Sequence, residues 1–223
     1  MTKLTRKGEW LRAFTWLVVL LIPFLLFGDM TKPTQLKYRG FTIDESRILD
    51  ITNLEAVLTA TKEQIDIVCA VGIPTEMLAF FQAQSIHIVP HGNSPVAGGE
   101  YNFRSKKVEI EWEYIVRTPN KPVLLHEFMH AYHDQKLPGG FKNPRIIMFY
   151  QRAKNVSAYP ADAYVMKNVK EYFACTATAY LYGVTAKEPY RREEIEKTQP
   201  KYFECLKALF GPDAGNYVGS LNP

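Results

Sequence analysis

The 223 residues carry 27 Lys and Arg against 23 Asp and Glu, a formal net charge of +4, and at about 150 residues per domain they suffice for one domain with an appendage. Much of the positive excess lies in the first dozen residues, where Lys3, Arg6, Lys7 and Arg12 face only Glu9, so the remainder offers no basic face for nucleic acid. Apolar residues at 47% and charged residues at 22% exclude extensive disorder, and Cys69, Cys175 and Cys205 are too few and scattered for a disulfide framework or a cysteine zinc knuckle. Each cysteine sits in an apolar stretch and reads as a core residue, with one bridge and one free thiol as the alternative.

After the basic start, Ala13 to Gly28 is apolar and carries no charge. That length falls between the roughly 7 to 15 residues of a signal-peptide core and the roughly 20 of a membrane span. Pro23 would kink a helix there, and no small-x-small cleavage site follows, which favours an uncleaved anchor over a cleaved signal peptide. Either version leaves the basic end cytoplasmic and places the domain outside the cytoplasm, anchored to the membrane by its amino terminus or secreted. Residues 1–30 are therefore assigned to the signal or anchor, and residues 31–223 to the functional domain.

Residues 29–40 read as a linker running into a short strand over Gly40 to Ile43. Helical spacing of Leu54, Val57, Leu58, Ile65 and Val68 predicts a helix over 54–71 capped by Thr52 or Asn53. A second, shorter helix covers 74–84, and Ser85 to Pro90 alternates as a strand, with His87 a strand residue. His91 to Gly99 is rich in turn formers, with His91 a turn residue, and strands follow over 101–112. Pro122 sits where a helix can begin, and the helix runs from Val123 to Gln135. Further helices cover 143–153, 168–182 ending at Gly183, and 202–210, while Arg191-Arg192-Glu193-Glu194 reads as a solvated helix surface. A small sheet first and helices afterwards make an α+β fold.

On the helix 123–135 stands His126-Glu127-Phe128-Met129-His130. Residues four apart on a helix lie about 5–6 Å from each other on one face, so two imidazoles can grip one zinc ion while Glu127 acts on water as general base. The rest of the helix is apolar, and burying two histidines and a glutamate there is costly unless something satisfies them. A catalytic zinc needs a third protein ligand and an open position. Metzincins place Gly three and His six residues after the second histidine; here His133 and Lys136 stand there, which excludes that class. Glu171, at the start of an apolar helix, is the best carboxylate for the role; a first-turn acid favoured by the helix dipole is the alternative. His133 either supports the imidazoles or lies at the surface. Asp134 either takes the second nitrogen of a ligating imidazole or is a helix-end acid.

HEFMH followed about forty residues later by KNVKEYFA resembles the gluzincin peptidases of the anthrax lethal factor catalytic domain superfamily, which includes secreted proline-specific endopeptidases of clostridia. The resemblance covers roughly residues 85–210 and is specific at the two motifs. It implies a zincin-like fold, one zinc ion on His126, His130 and Glu171, Glu127 as base, and Tyr164, seven residues before Glu171, as the hydroxyl that polarises the scissile carbonyl. Met129 departs from the small residue common before the second histidine, so substrate preference does not carry over. Gly98-Gly99-Glu100-Tyr101 resembles the start of the edge strand along which zincins lay an extended protein or peptide substrate. A zinc-dependent hydrolase of other amides or esters and a degenerate zincin acting as an envelope binding protein are the competing readings. An intramembrane protease fails because the helix 123–136 carries His, Glu, Asp and Gln and no other apolar span of about 20 residues exists.

Overall fold

In the computed structural model, which describes residues 34–92, 98–188, 190–212 and 214–215, the sheet begins earlier in the chain than the sequence pattern suggests. Strand β1 (Gln35–Tyr38) lies in the stretch read as linker and pairs antiparallel with β2 (Phe41–Asp44). Arg39 and Gly40 join them with φ of 46° and 83°, consecutive left-handed residues of the kind that match the twist of a two-residue hairpin. Gly40 is also held close: an added Cβ would lie 2.7 Å from the Gln82 amide nitrogen, which donates to the Arg39 carbonyl.

The order across the five-stranded mixed sheet is β1, β2, β3 (Ser85–Val89), β5 (Lys107–Glu111) and β4 (Gly99–Asn102). The pairs β2–β3 and β3–β5 are parallel, whereas β4 runs antiparallel to β5 at the edge, with Gly99 opposite Ile110 and Tyr101 opposite Val108. Ile86, Ile88, Val108 and Ile110 are fully buried, so the alternating apolar positions fix which face meets the helices.

Helices α1 (Leu54–Ala70) and α2 (Thr75–Gln82) precede β3. The expected strand end at Trp112 is instead the start of a short helix, α3 (Trp112–Arg117). Helix α4 (Val123–Gln135) packs against β4, β5 and α1 on one side and α6 (Val169–Tyr182) on the other, and every residue from Val123 to Ala131 is buried. A helix that is apolar on nearly all sides belongs between two layers, and this one has them. Phe128 stacks between Phe81 and Phe41 at centroid distances of 4.8 and 5.8 Å, a burial of about 1.5–3 kcal/mol for the one ring. Ala174, Ala177 and Ala179 are buried along α6.

Local signals set the helix ends. The Asn168 carboxamide oxygen accepts from the backbone N–H groups of Lys170 and Glu171 at 2.9 and 3.0 Å, and Gly183, at φ 96°, closes α6 in the left-handed conformation. Asn143 caps α5 (Pro144–Asn155) in the same way, whereas Asn53 stands before α1 without a side-chain cap. Helices α7 (Arg192–Thr198) and α8 (Pro200–Phe210) complete the helical second half. The arrangement is α+β. All three cysteines are free thiols, with Cys175 and Cys205 buried. The expected amino-terminal signal or anchor falls on residues outside the described ones, as does most of the turn between His91 and Gly99. No helix of the described residues is long and apolar enough to cross a membrane.

Candidate metal centre

One turn of α4 separates His126 from His130, and their rings stand perpendicular with centroids 4.7 Å apart. The two Nε2 atoms face each other at 3.1 Å. Glu171 enters from the first turn of α6, held there by the Asn168 cap, and its Oε2 lies 3.3 Å from Nε2 of His126 and 3.2 Å from Nε2 of His130. His126 is 2% and His130 8% exposed.

These three atoms form a nearly equilateral triangle of lone-pair donors on two buried histidines and a half-buried glutamate. A tetrahedral ion bound at about 2.0–2.2 Å spaces its ligands roughly 3.3–3.4 Å apart, so the triangle fits a borderline-soft divalent cation such as zinc with one position left open. The charge balance points the same way. Burial by itself would raise Glu171, but the hydrogen bonds to the two imidazoles outweigh it and hold the carboxyl far below the usual carboxylate range. Burial depresses His130 and its bond to Glu171 overcomes that, raising the imidazole. The Nδ1 atom of His126 is buried without a partner, so the orienting bond common behind metal-bound imidazoles is missing on this ring.

Glu127 is 4% exposed. Burial raises its carboxyl above the ordinary range, with His126 and His130 pulling the other way. It belongs to no corner of the triangle and faces the edge strand: a Cβ built on Gly99 would lie 3.0 Å from Cγ and 3.2 Å from Oε1 of Glu127. Only a glycine lets β4 run this close to that carboxylate.

Tyr164 opens a single 3-10 turn, Tyr164–Met166, with its ring 6.4 Å from that of His126. Burial, and then the charges of Glu171 and Glu127, hold its hydroxyl protonated far above the usual tyrosine range, which makes it a donor. The turn is pinned by a residue that sequence reasoning missed. Glu188 accepts the backbone N–H groups of Tyr164 at 2.5 Å and Val165 at 3.0 Å. Its neighbour Lys187 places Nζ 4.2 Å from the centre of the Tyr164 ring. No local pattern announces either contact, since the partners lie more than twenty residues apart.

Neither expected supporting residue hydrogen-bonds to the imidazoles. Asp134 accepts from the Tyr101 hydroxyl at 2.7 Å and pairs with Lys106 at 2.5 Å, tying α4 to the β4–β5 hairpin and leaving the imidazoles without it. His133 is neither a surface residue nor a hydrogen-bond partner of the pair: it is fully buried with both ring nitrogens unpartnered, 4.7 Å from the Phe173 ring and 5.2 Å from the Phe141 ring. His87 pairs with Asp44 at 2.9 Å and His91 with Glu111 at 3.3 Å, well outside the triangle in sequence and bonding.

No family model matches the chain, and no curated protein matches its sequence. Among solved structures it is similar to a Pro-Pro endopeptidase from Paenibacillus alvei, with a TM-score of 0.48 and 19% identity, over 72% of this chain and 94% of that one. A likeness of that degree fixes no activity.

Proposed function

We propose that the chain is a metal-dependent endopeptidase, with one zinc ion held by His126, His130 and Glu171. The observation that carries this reading is the triangle of donors on α4 and α6 with Glu127 beside it and the backbone of an edge strand passing within van der Waals reach of that carboxylate. The free side of β4 suits an extended peptide, which would add as a further strand and bring its carbonyl groups past the site. This feature favours a peptide over a smaller amide or an ester.

When bound, the ion supplies Lewis acidity and eases deprotonation of water. Glu127 takes the proton from the attacking water and returns it to the leaving nitrogen, a task for which a raised carboxyl is suited in both directions. Tyr164 donates its O–H to the carbonyl oxygen as charge develops there. The basic segment ending at Arg12 and the apolar segment from Ala13 support placing the domain on the extracytoplasmic side, anchored or released.

The test is metal content and cleavage of a peptide library. Protein purified without added metal should carry about one equivalent of zinc, and a chelator should abolish cleavage and lower the Tm, since an ion at about 1,000 times its Kd contributes about 4 kcal/mol to the folded state. Re-adding zinc should restore both. Metal-free protein that cuts peptides as fast as the loaded protein would overturn the reading, and a loaded protein that cuts only small amides or esters would replace the substrate class.

Two substitutions probe the supports of the site. Gly99→Ala forces either the Glu109 carbonyl or Glu127 to shift, because both lie 3.0 Å from the new Cβ. The expected result is a fall in kcat of about 10-fold, because the shift required is smaller than the roughly 1 Å misplacement that costs about 10²-fold, at little change in zinc content. Glu188→Ala removes both backbone bonds to the Tyr164 turn. It should cost about 1.5–3 kcal/mol of stability in urea titration and lower kcat more than it raises KM.

A further inference from the structure

We propose that the subsite beside Tyr164 accepts a carboxylate of the substrate, taken up by Lys187 with Lys167 behind it. This rests on the peptidase reading and names the substrate chemistry at that same site.

The Tyr164 ring carries two ammonium groups, Lys187 Nζ at 4.2 Å and Lys167 Nζ at 5.3 Å from its centre. Lys187 is half-buried and Lys167 exposed. Among the described residues neither has a carboxylate at ion-pair distance. The acids that face Lys187 are committed elsewhere: Glu171 to the two imidazoles, Glu188 to the N–H groups of Tyr164 and Val165, and Glu127 to the proton transfer. Burial pulls the Lys187 ammonium below the ordinary lysine range while Glu127 and Glu171 oppose it, so the ammonium lies within the field of both site carboxylates.

A divalent ion at the triangle would be matched in charge by Glu171 and Glu127 together. Lys187 and Lys167 then face one further acid, Glu188, whose charge the two N–H groups do not cancel, which leaves a positive excess beside the Tyr164 ring. A half-desolvated ammonium with no counter-ion at ion-pair distance is unfavourable until one arrives. A substrate carboxylate next to the scissile bond supplies it. It comes either from an Asp or Glu side chain or from a free carboxyl terminus, and a neutral peptide leaves the ammonium unpaired, which is the basis of discrimination.

The experiment uses zinc-loaded full-length protein and peptides matched except for Glu, Gln or Lys at the positions flanking the cleaved bond, each with a free and an amidated terminus. Wild type is expected to cut the carboxylate-bearing peptide about 10-fold faster in kcat/KM than its neutral partner. Lys187→Arg should keep the preference, Lys187→Met should erase it, and Lys187→Glu should turn it towards the Lys peptide. In parallel, calorimetry with Glu127→Gln protein reads binding without turnover: the acidic peptide should bind about 10-fold tighter than the neutral one, less so at high salt. Whether the preference follows the side chain or the terminus names the source of the carboxylate. Equal cleavage and equal binding of acidic and neutral peptides overturn the proposal while the peptidase reading stands. Preferential binding with no peptide cut overturns the peptidase reading and leaves the carboxylate site in place.

Discussion

Glu127→Gln is expected to slow peptide hydrolysis by about 10²–10⁴-fold, the range for losing a positioned general base, while the protein keeps its zinc. The separation follows from the site. Glu127 contributes none of the three atoms of the donor triangle, so the amide variant leaves His126, His130 and Glu171 free to bind. Folding should also survive, because the wild-type carboxyl is already penalised by burial and a neutral amide of the same shape removes that penalty. Glu171→Gln is the control with the opposite signature: it removes a corner of the triangle, and both metal and activity should be lost. The measurements are metal analysis and kcat on the same preparations. Retained hydrolysis in Glu127→Gln would sink the base assignment, and loss of zinc in that variant would move Glu127 into the ligand set.

His133→Phe is expected to flatten the acid limb of the stability curve. Burial lowers the His133 imidazole from its ordinary 6.5 to about 4, and neither nitrogen has a partner. The native state refuses a proton that the unfolded chain accepts, so the unfolded chain binds more protons between pH 6.5 and 4 and stability falls as pH drops through that window. From pH 7 to pH 5 this one residue should cost about 2 kcal/mol, approaching about 3 kcal/mol at pH 4. In the phenylalanine variant that slope is gone. Relief of a buried unpaired polar group is worth a further 1–3 kcal/mol or so at neutral pH, less whatever crowding the larger ring causes against Phe141 and Phe173. Urea titrations of metal-free protein at several pH values check this, since metal release in acid would otherwise overlap. Parallel curves for the two proteins would show that His133 finds a partner in solution.

The parts of this molecule that are legible in the sequence are those with local causes. Helix α4 runs from Val123 to Gln135 as its apolar periodicity and Pro122 imply, and α6 lies between Asn168 and Gly183 because cap and stop are written in single residues. The spacing of His126 and His130 needs only a helix to become a pair. Strand β1 was missed because Gln35–Tyr38 alternates weakly and the turn puts an arginine in the left-handed region, where glycine or asparagine is the usual signal. Helix α3 was missed because Trp112, Tyr114, Ile115 and Val116 have strand preferences that packing against α1 overrides. Spacing along α4 alone suggests Asp134 and His133 as neighbours of the imidazoles, yet their partners come from the β4–β5 hairpin, from Phe141 and from α6. Lys187 and Glu188 meet Tyr164 only through the fold.

The donor triangle draws two atoms from one helix and its third from another, 41 residues further along the chain. A polypeptide still being made therefore carries an incomplete set until the segment after Asn168 has appeared and coiled. The set is completed late, when α6 closes on α4. The metal-binding capacity proposed for these residues is thus absent from the growing chain before α6 is made and folded.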